Sequence, residues 1–282
     1  MAADLFSKIT GETSLAAVVG SPISHSLSPA IHNAGFQALG IDAVYLALEF
    51  ASGDAEKAIS FARSLSVIGL SVTMPLKEEI CDFVDVLTPA AKALRSCNCI
   101  YRDGDKLVGD STDGTGFVSA FKTQFPDSLD RKTVALLGAG GAARSIAYSL
   151  DQTNISEIKV INRTVSSAEK ILGLAGKATL GSIDDIENCD VIINATSVGM
   201  SGGASADKSL VPETMLRSEH IVADIVYNPL ETKLLADARG VGARTIGGVP
   251  MLVHQAAEAF FLWTSKKAPL SEMNQAVSTM VV

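Results

Sequence analysis

Short runs of Val, Ile, Leu and Ala recur along this chain, spaced so that a helix fits between each pair. The clearest are Leu15–Val19, Val44–Leu48, Ile68–Val72, Thr133–Leu137, Lys159–Ile161, Val191–Asn194, Ile221–Ile225 and Ala243–Ile246. Several are apolar at consecutive positions, the pattern of a strand covered on both faces. Between them, Pro29–Leu39, Ala55–Leu65, Ala142–Leu150 and Leu230–Arg239 carry helical periodicity. That alternation confines the chain to α/β layering with parallel sheets. Its 282 residues suffice for one large or two ordinary domains, and the 47% hydrophobic share supplies their cores.

One segment interrupts the rhythm. "NCIYRDGDKLVG" holds two strand-like runs around Asp103-Gly104, a hairpin dipeptide. "DSTDGTGF" follows, where Ser111 or Thr112 can cap a helix carrying Asp113 in its first turn. We place a domain boundary there. Residues 1–111 with 247–282 are expected to form one α/β domain, and residues 112–246 a second, of Rossmann dinucleotide-binding type. The tail from Gly247 is helical by periodicity and returns to the first domain.

The formal charge of −8, without long basic blocks, argues against nucleic acid or anionic membrane as partner. No stretch approaches the roughly 18 apolar residues of a transmembrane helix. The start, MAADLFSKIT, lacks the pattern of a signal peptide. Cys97 and Cys99 flank Asn98 on a predicted strand. With Cys81 and Cys189 they read as reduced core cysteines. The expectation is a cytoplasmic protein with no metal site.

The strongest local motif is "TVALLGAGGAARSIAYSL", a strand leading through Gly138-x-Gly140-x-x-Ala143 into a helix. Gly138 permits the tight turn, Gly140 lets a pyrophosphate reach the backbone, and Ala143 lets the helix pack on the sheet. The free N–H groups at that helix start then face phosphates. The next strand ends "KVINRT", where an acidic residue would select the ribose of NAD. Asn162, Arg163 and Thr164 suit a 2′-phosphate instead, which favours NADP over NAD. The other reading of Arg163 is a solvated strand end. The loop "NATSVGM" lies at the carboxyl edge of its sheet and reads equally as a nicotinamide contact or a plain connection.

Reduction of a carbonyl needs a proton donor at its oxygen. Thr73 and Lys77 stand at a strand exit in "TMPLKEE", with Pro75 stiffening the turn, and Asp113 is a candidate partner. On composition alone they read as a surface lysine and a capping aspartate. Likewise Ser26 and Ser28 in "HSLSP" read first as helix capping, with Ser28 the N-cap before Pro29.

The chain resembles the shikimate dehydrogenase family. The likeness runs in order through "VVGSPISHSLSPAIHN", "SVTMPLKEE", "GDSTDGTGF", "LLGAGGAAR", "VINRT", "NATSVGM", "DIVYNPLETKLL" and "MLVHQAAEAFFLW". It implies a substrate domain, an NADP domain and a helical return, with the site in the cleft between domains. The implied reaction is reversible reduction of 3-dehydroshikimate to shikimate, a step of aromatic amino-acid biosynthesis, by a monomer or homodimer. Lys77 and Asp113 match the catalytic dyad. Ser26 and Ser28 match the serines on the substrate carboxylate, with Tyr227 near that group. Thr73, Asn98 and Gln255 match residues on ring hydroxyls or the dyad. Gly138, Ala139, Gly140, Gly141 and Ala142, with Asn162, Arg163 and Thr164, match the cofactor segments. Ile225 and Gly248 match positions flanking the nicotinamide. Under this likeness the hydroxyls beside a helix N-terminus can both cap and cradle a carboxylate.

Several positions depart from the family pattern. Ser71 and Ser111 stand where asparagine is usual, "SCNCI" brings cysteines around Asn98, and Pro250 replaces a glycine. Ser167 replaces a second arginine, which leaves use of NAD alongside NADP open. These changes leave room for a quinate- or aminoshikimate-preferring relative. A non-catalytic nucleotide-binding sensor is the alternative of another class, and the presence of both Lys77 and Asp113 argues against it.

Overall fold

The computed structural model describes residues 9–280. The reading of residues 1–8 as carrying no leader, and the end of the returning tail, lie outside them. The chain divides into two compact units: one runs up to Thr112 and resumes at Gln255, and the other is Asp113–His254.

The first unit holds β1 (Ser14–Gly20), β2 (Ala43–Glu49), β3 (Gly69–Val72), β4 (Val86–Leu87), β5 (Cys99–Asp103) and β6 (Lys106–Asp110). They form one sheet in the order β2-β1-β3-β5-β6-β4. β1 runs parallel to β2 and β3, whereas β5 is antiparallel to both β3 and β6. The sheet is therefore mixed, not wholly parallel as the alternation predicts. The cause is the Asp103-Gly104 turn, with Gly104 at φ +59, which reverses the chain without a crossover helix.

Helix α1 (Ser28–Ala38) covers one face of this sheet and α2 (Ala55–Ser64) helps to cover the other. On the α2 face, Ala58, Ile59 and Ala62 pack against Val19, Leu70, Val72, Leu76 and Ile80. On the α1 face, register puts Tyr45, Gly69 and Ser71 on the same side, through Ala16 and Val18 of β1. The His32 ring stacks on Tyr45 with centroids 4.4 Å apart and lies 4.7 Å from that of Trp263. A Cβ on Gly69 would sit 2.2 Å from the indole nitrogen, so only glycine admits Trp263 there. Asn33 clasps the backbone of the edge strand: its Nδ2 donates to Tyr45 O at 2.9 Å, and Tyr45 N donates to its Oδ1 at 2.8 Å.

The second unit holds β7 (Thr133–Leu137), β8 (Glu157–Ile161), β9 (Ala178–Leu180), β10 (Val191–Asn194), β11 (Ile221–Asp224) and β12 (Arg244–Ile246). Their order is β12-β11-β10-β7-β8-β9, and every neighbouring pair is parallel. That is the doubly wound Rossmann order, with its switch point between β7 and β10. Leu136, Val160 and Ile193 face one buried layer, and Ala135, Leu137 and Ile192 the other. Helices α4 (Asp113–Gln124), α5 (Gly141–Asp151), α6 (Val165–Leu172) and α7 (Lys233–Gly240) belong to this unit.

Helix α7 starts three residues later than the predicted Leu230. Thr232 caps it, its Oγ1 accepting from Leu235 N, and Leu230 remains half exposed before the cap. Helix α8 (Gly248–Thr264) and α9 (Leu270–Ser278) complete the chain. Among the described residues no helix is long and apolar enough to cross a membrane, and no three His, Cys, Asp or Glu residues cluster as metal ligands would.

Candidate active site

In the first unit, the exit of β3 presents Thr73 and Lys77. Thr73 N donates to Val19 O, Leu76 N donates back to Thr73 O, and Ile80 N to Leu76 O. Leu76 and Ile80 are fully buried and anchor the turn, which leaves Lys77 half-buried beside it. A Cβ on Gly20 would lie 2.4 Å from Thr73 Cγ2, so the end of β1 passes Thr73 only as glycine. Lys77 O accepts from Cys97 N at 2.8 Å, which joins the lysine's segment to that of Asn98.

Asn98 is buried and ties three segments together. Its Oδ1 accepts from Thr112 N at 2.6 Å, and its Nδ2 donates to Thr112 Oγ1 at 2.9 Å and to Gln255 Oε1 at 3.4 Å. Thr112 Oγ1 in turn donates to Gln255 O. The structure thus brings Asn98 and Gln255 together around Thr112, a residue the sequence reading considered only as a cap.

Ser28 is the first residue of α1, and the N-cap position falls on Leu27 with no side-chain cap. This corrects the expected N-cap role of Ser28. It is Ser26 that accepts a backbone N–H, from Ser28 at 3.3 Å. The Ser28 hydroxyl instead lies beside that of Tyr45, as does Ser71.

In the second unit, Gly138 adopts φ +107 at the end of β7, and a Cβ there would lie 2.8 Å from Thr196 Cγ2. At Gly140 and Gly141 an added Cβ would meet nothing within 4 Å. The N-terminus of α5 therefore opens onto free space, with the backbone N–H groups of an eleven-residue helix behind it. Beside it a cavity of about 410 Å³ is lined by Gly138, Asn162, Arg163 and Thr164, with Thr196, Ser197 and Val198 opposite. Asn162 Nδ2 donates to Thr164 O and so shapes that corner, while Arg163 is exposed. An anion-ready helix start next to a cavity carrying a guanidinium fits a phosphorylated dinucleotide.

The "NATSVGM" loop is held by a buried network. Asp224, 1% exposed, accepts from Asn194 Nδ2 and Val226 N at 3.0 Å and from Thr232 Oγ1 at 2.7 Å. Asn194 Oδ1 accepts from Thr196 N and Thr196 Oγ1, and Thr196 Oγ1 accepts from Val198 N. Burial raises the Asp224 carboxyl above its ordinary range against these hydrogen bonds. Sequence reasoning marked the loop but missed Asp224. An acidic residue ending an otherwise apolar strand was the available signal. Ile225 N donates to Asn194 O, and a Cβ on Gly248 would lie 2.2 Å from Ile225 O, so those two positions meet in contact. Tyr227, two residues beyond Ile225, is half-buried, and burial raises its phenol pKa.

Asp113 begins α4, which packs closely on α5. Gly114 N donates to Ser145 Oγ at 3.0 Å, and a Cβ on Gly114 would sit 2.0 Å from Ser145 O. The carboxylate's helix is thereby keyed to the helix that opens at Gly141.

Three family models match the chain: "Shikimate dehydrogenase substrate binding domain" over residues 18–100, "Shikimate / quinate 5-dehydrogenase" over 120–225, and "Shikimate 5'-dehydrogenase C-terminal domain" over 248–277. A shikimate dehydrogenase (NADP(+)) of Pyrococcus abyssi is 46% identical over 251 residues, 88% of this chain and 90% of that one. A shikimate dehydrogenase crystallised with NADP+ superposes with TM-score 0.91 at 33% identity, covering 97% of this chain and 98% of that one. A shikimate 5-dehydrogenase of Listeria monocytogenes, in complex with shikimate and NAD, gives TM-score 0.88 at 36% identity, covering 96% and 98%.

Proposed function

This chain belongs to the shikimate dehydrogenase family, and from that we infer that it catalyses the reversible NADP-linked reduction of 3-dehydroshikimate to shikimate. We read it as a cytoplasmic enzyme working as a monomer or homodimer. NADPH supplies the hydride when bound. The backbone N–H groups from Gly138 to Ala142 hold its pyrophosphate, and Arg163 with Asn162 and Thr164 hold the 2′-phosphate. Ile225 and Gly248 flank the nicotinamide end.

Ser26 and Ser28 take the substrate carboxylate, and the family likeness assigns Tyr227 to the same group. Thr73, Asn98 and Gln255 take ring hydroxyls or support the dyad. Lys77 gives a proton to the carbonyl oxygen as it becomes a hydroxyl and takes it back in the reverse direction. The family likeness assigns Asp113 as the carboxylate of the same dyad. The observation that most supports this reading is the pairing, in one chain, of an anion-ready glycine loop beside Arg163 with an anchored Thr73–Lys77 turn.

The test is an absorbance assay with purified protein, shikimate and NADP. Growth of the NADPH band is expected, and no turnover with either nicotinamide cofactor overturns the proposal. A quinate-preferring reading has one specific observation behind it. Ser71, smaller than the usual asparagine, lies with Ser28 beside the Tyr45 hydroxyl. Comparison of kcat/KM for shikimate and quinate decides between the two.

A further inference from the structure

Lys77 and Asn98 are joined from behind by a pair of sulfur atoms that the proposed reaction does not use. Cys81 lies in a short 3-10 helix, Glu79–Asp82, one turn beyond Lys77, and Cys97 directly precedes Asn98. Their Sγ atoms are 3.3 Å apart. Both contact the same carbonyl: Lys77 O accepts from Cys97 N at 2.8 Å and from Cys81 Sγ at 3.5 Å. Cys97 is fully buried, whereas Cys81 keeps 6% exposure. Gly109 makes room for the inner sulfur, since a Cβ there would lie 2.6 Å from Cys97 Sγ.

The two thiols are chemically unequal. Contact with the Cys97 sulfur lowers the Cys81 thiol below its ordinary range against the effect of burial; the nearby Arg95 adds to this, and Asp82, ion-paired with Arg95 at 3.1 Å, opposes it. The same contact and burial push Cys97 up. Cys81, which keeps the pair's only exposure and lies near Arg95, takes the attacking role, and the enclosed Cys97 the resolving one.

We propose that Cys81 and Cys97 are a peroxide-sensitive pair that closes to a disulfide and thereby displaces the backbone carrying Lys77 and Asn98. The Cys81 thiolate attacks the O–O bond of hydrogen peroxide. One oxygen remains on sulfur as a sulfenic acid, and the other leaves as hydroxide, which takes up the proton Cys81 had lost. The Cys97 sulfur then displaces the sulfenic hydroxyl, its own proton leaving with that hydroxyl as water. Two thiols are oxidised, and one peroxide is reduced to two waters. Closure draws the sulfurs from 3.3 Å to about 2 Å. The shift is shared by two segments that meet at Lys77 O.

The cross-link stands independently of the proposed reaction, and its effect on turnover rests on it. The experiment treats the full chain with hydrogen peroxide, maps thiols by mass spectrometry, and follows shikimate turnover before and after dithiothreitol. The expected result is a loss of two hydrogen atoms and linked Cys81 and Cys97 peptides. Turnover should fall by about tenfold or more, the scale of a sub-ångström to ångström misplacement, and return on reduction. In Cys97→Ser no link forms, Cys81 goes on to the sulfinic acid, and dithiothreitol restores nothing. Cys81 oxidised in the wild type with Cys97 still alkylatable, or a link through Cys99 or Cys189, overturns the pair. A link with unchanged turnover overturns its coupling to Lys77. A wild type inactive on shikimate refutes the proposed reaction, and the coupling with it, while the mass map still decides the pair.

Discussion

His32 offers a sharp test of how the first unit is packed. Its ring is fully buried between Tyr45 and Trp263, and neither ring nitrogen has a hydrogen-bond partner. Burial lowers its pKa from 6.5 to about 3. Between those values the unfolded chain takes up a proton that the folded chain refuses. The stability this residue contributes is therefore fully present above about pH 6.5 and is lost as pH falls toward 3. Each pH unit in that window is worth about 1.4 kcal/mol, so lowering the pH from 6.5 to about 5 costs about 2 kcal/mol through this one ring. His32→Leu removes the titration and keeps an apolar side chain of similar bulk. At pH 7 the variant should be no less stable than the wild type, because the ring's polar atoms bond to nothing there. Urea unfolding at about pH 7 and about pH 5 measures both terms. The variant should lose about 2 kcal/mol less than the wild type across that interval. Identical losses would mean that His32 titrates normally, and the aromatic enclosure would not exclude its proton.

Three further outcomes are expected. Lys77→Ala should lower kcat by about 10²–10⁴ while leaving the KM for NADP nearly unchanged; parallel losses in both would make Lys77 a structural residue. Arg163→Ala should raise the KM for NADP by about tenfold to a hundredfold and that for NAD far less, in steady-state assays with each cofactor. Asp224→Ala strands the Val226 N–H in a buried site and should cost about 1–3 kcal/mol in urea unfolding. Asp224→Asn retains an acceptor for that N–H and should recover much of the loss.

What could be read in advance follows from how local each signal is. β7 and β10 end where their apolar runs end, because the glycine or asparagine that stops the run also makes the turn. The hairpin was legible from Asp103-Gly104, but its consequence for the sheet, an antiparallel β5 beside a parallel β3, depends on a neighbour outside the motif. α3 (Pro89–Leu94) had a signal that went unused: Thr88 before Pro89, with Thr88 Oγ1 accepting from Ala91 N. β4 is two residues long and exists only by pairing with β6, so no periodicity could reveal it. Among the site residues, Gly138 was legible because its turn at φ +107 and the close approach of Thr196 admit nothing else. Thr112 was not, since its importance lies in Gln255, far away in sequence; Asp224 offered only its place at the end of an apolar strand, because its partner Asn194 is equally distant.

The clasp of Asn33 on Tyr45 also bears on colloidal behaviour. β2 is the outermost strand of its sheet, and the N–H and C=O of Tyr45 are those it would offer to an incoming chain. The carboxamide meets both as a neighbouring strand would, so the exposed margin is already saturated at its centre. Shortening that one side chain to alanine would leave the catalytic groups untouched and give the protein an adhesive rim. It is a polar residue on a helix, rather than a charge on the strand, that occupies the hydrogen-bonding groups at the middle of this edge.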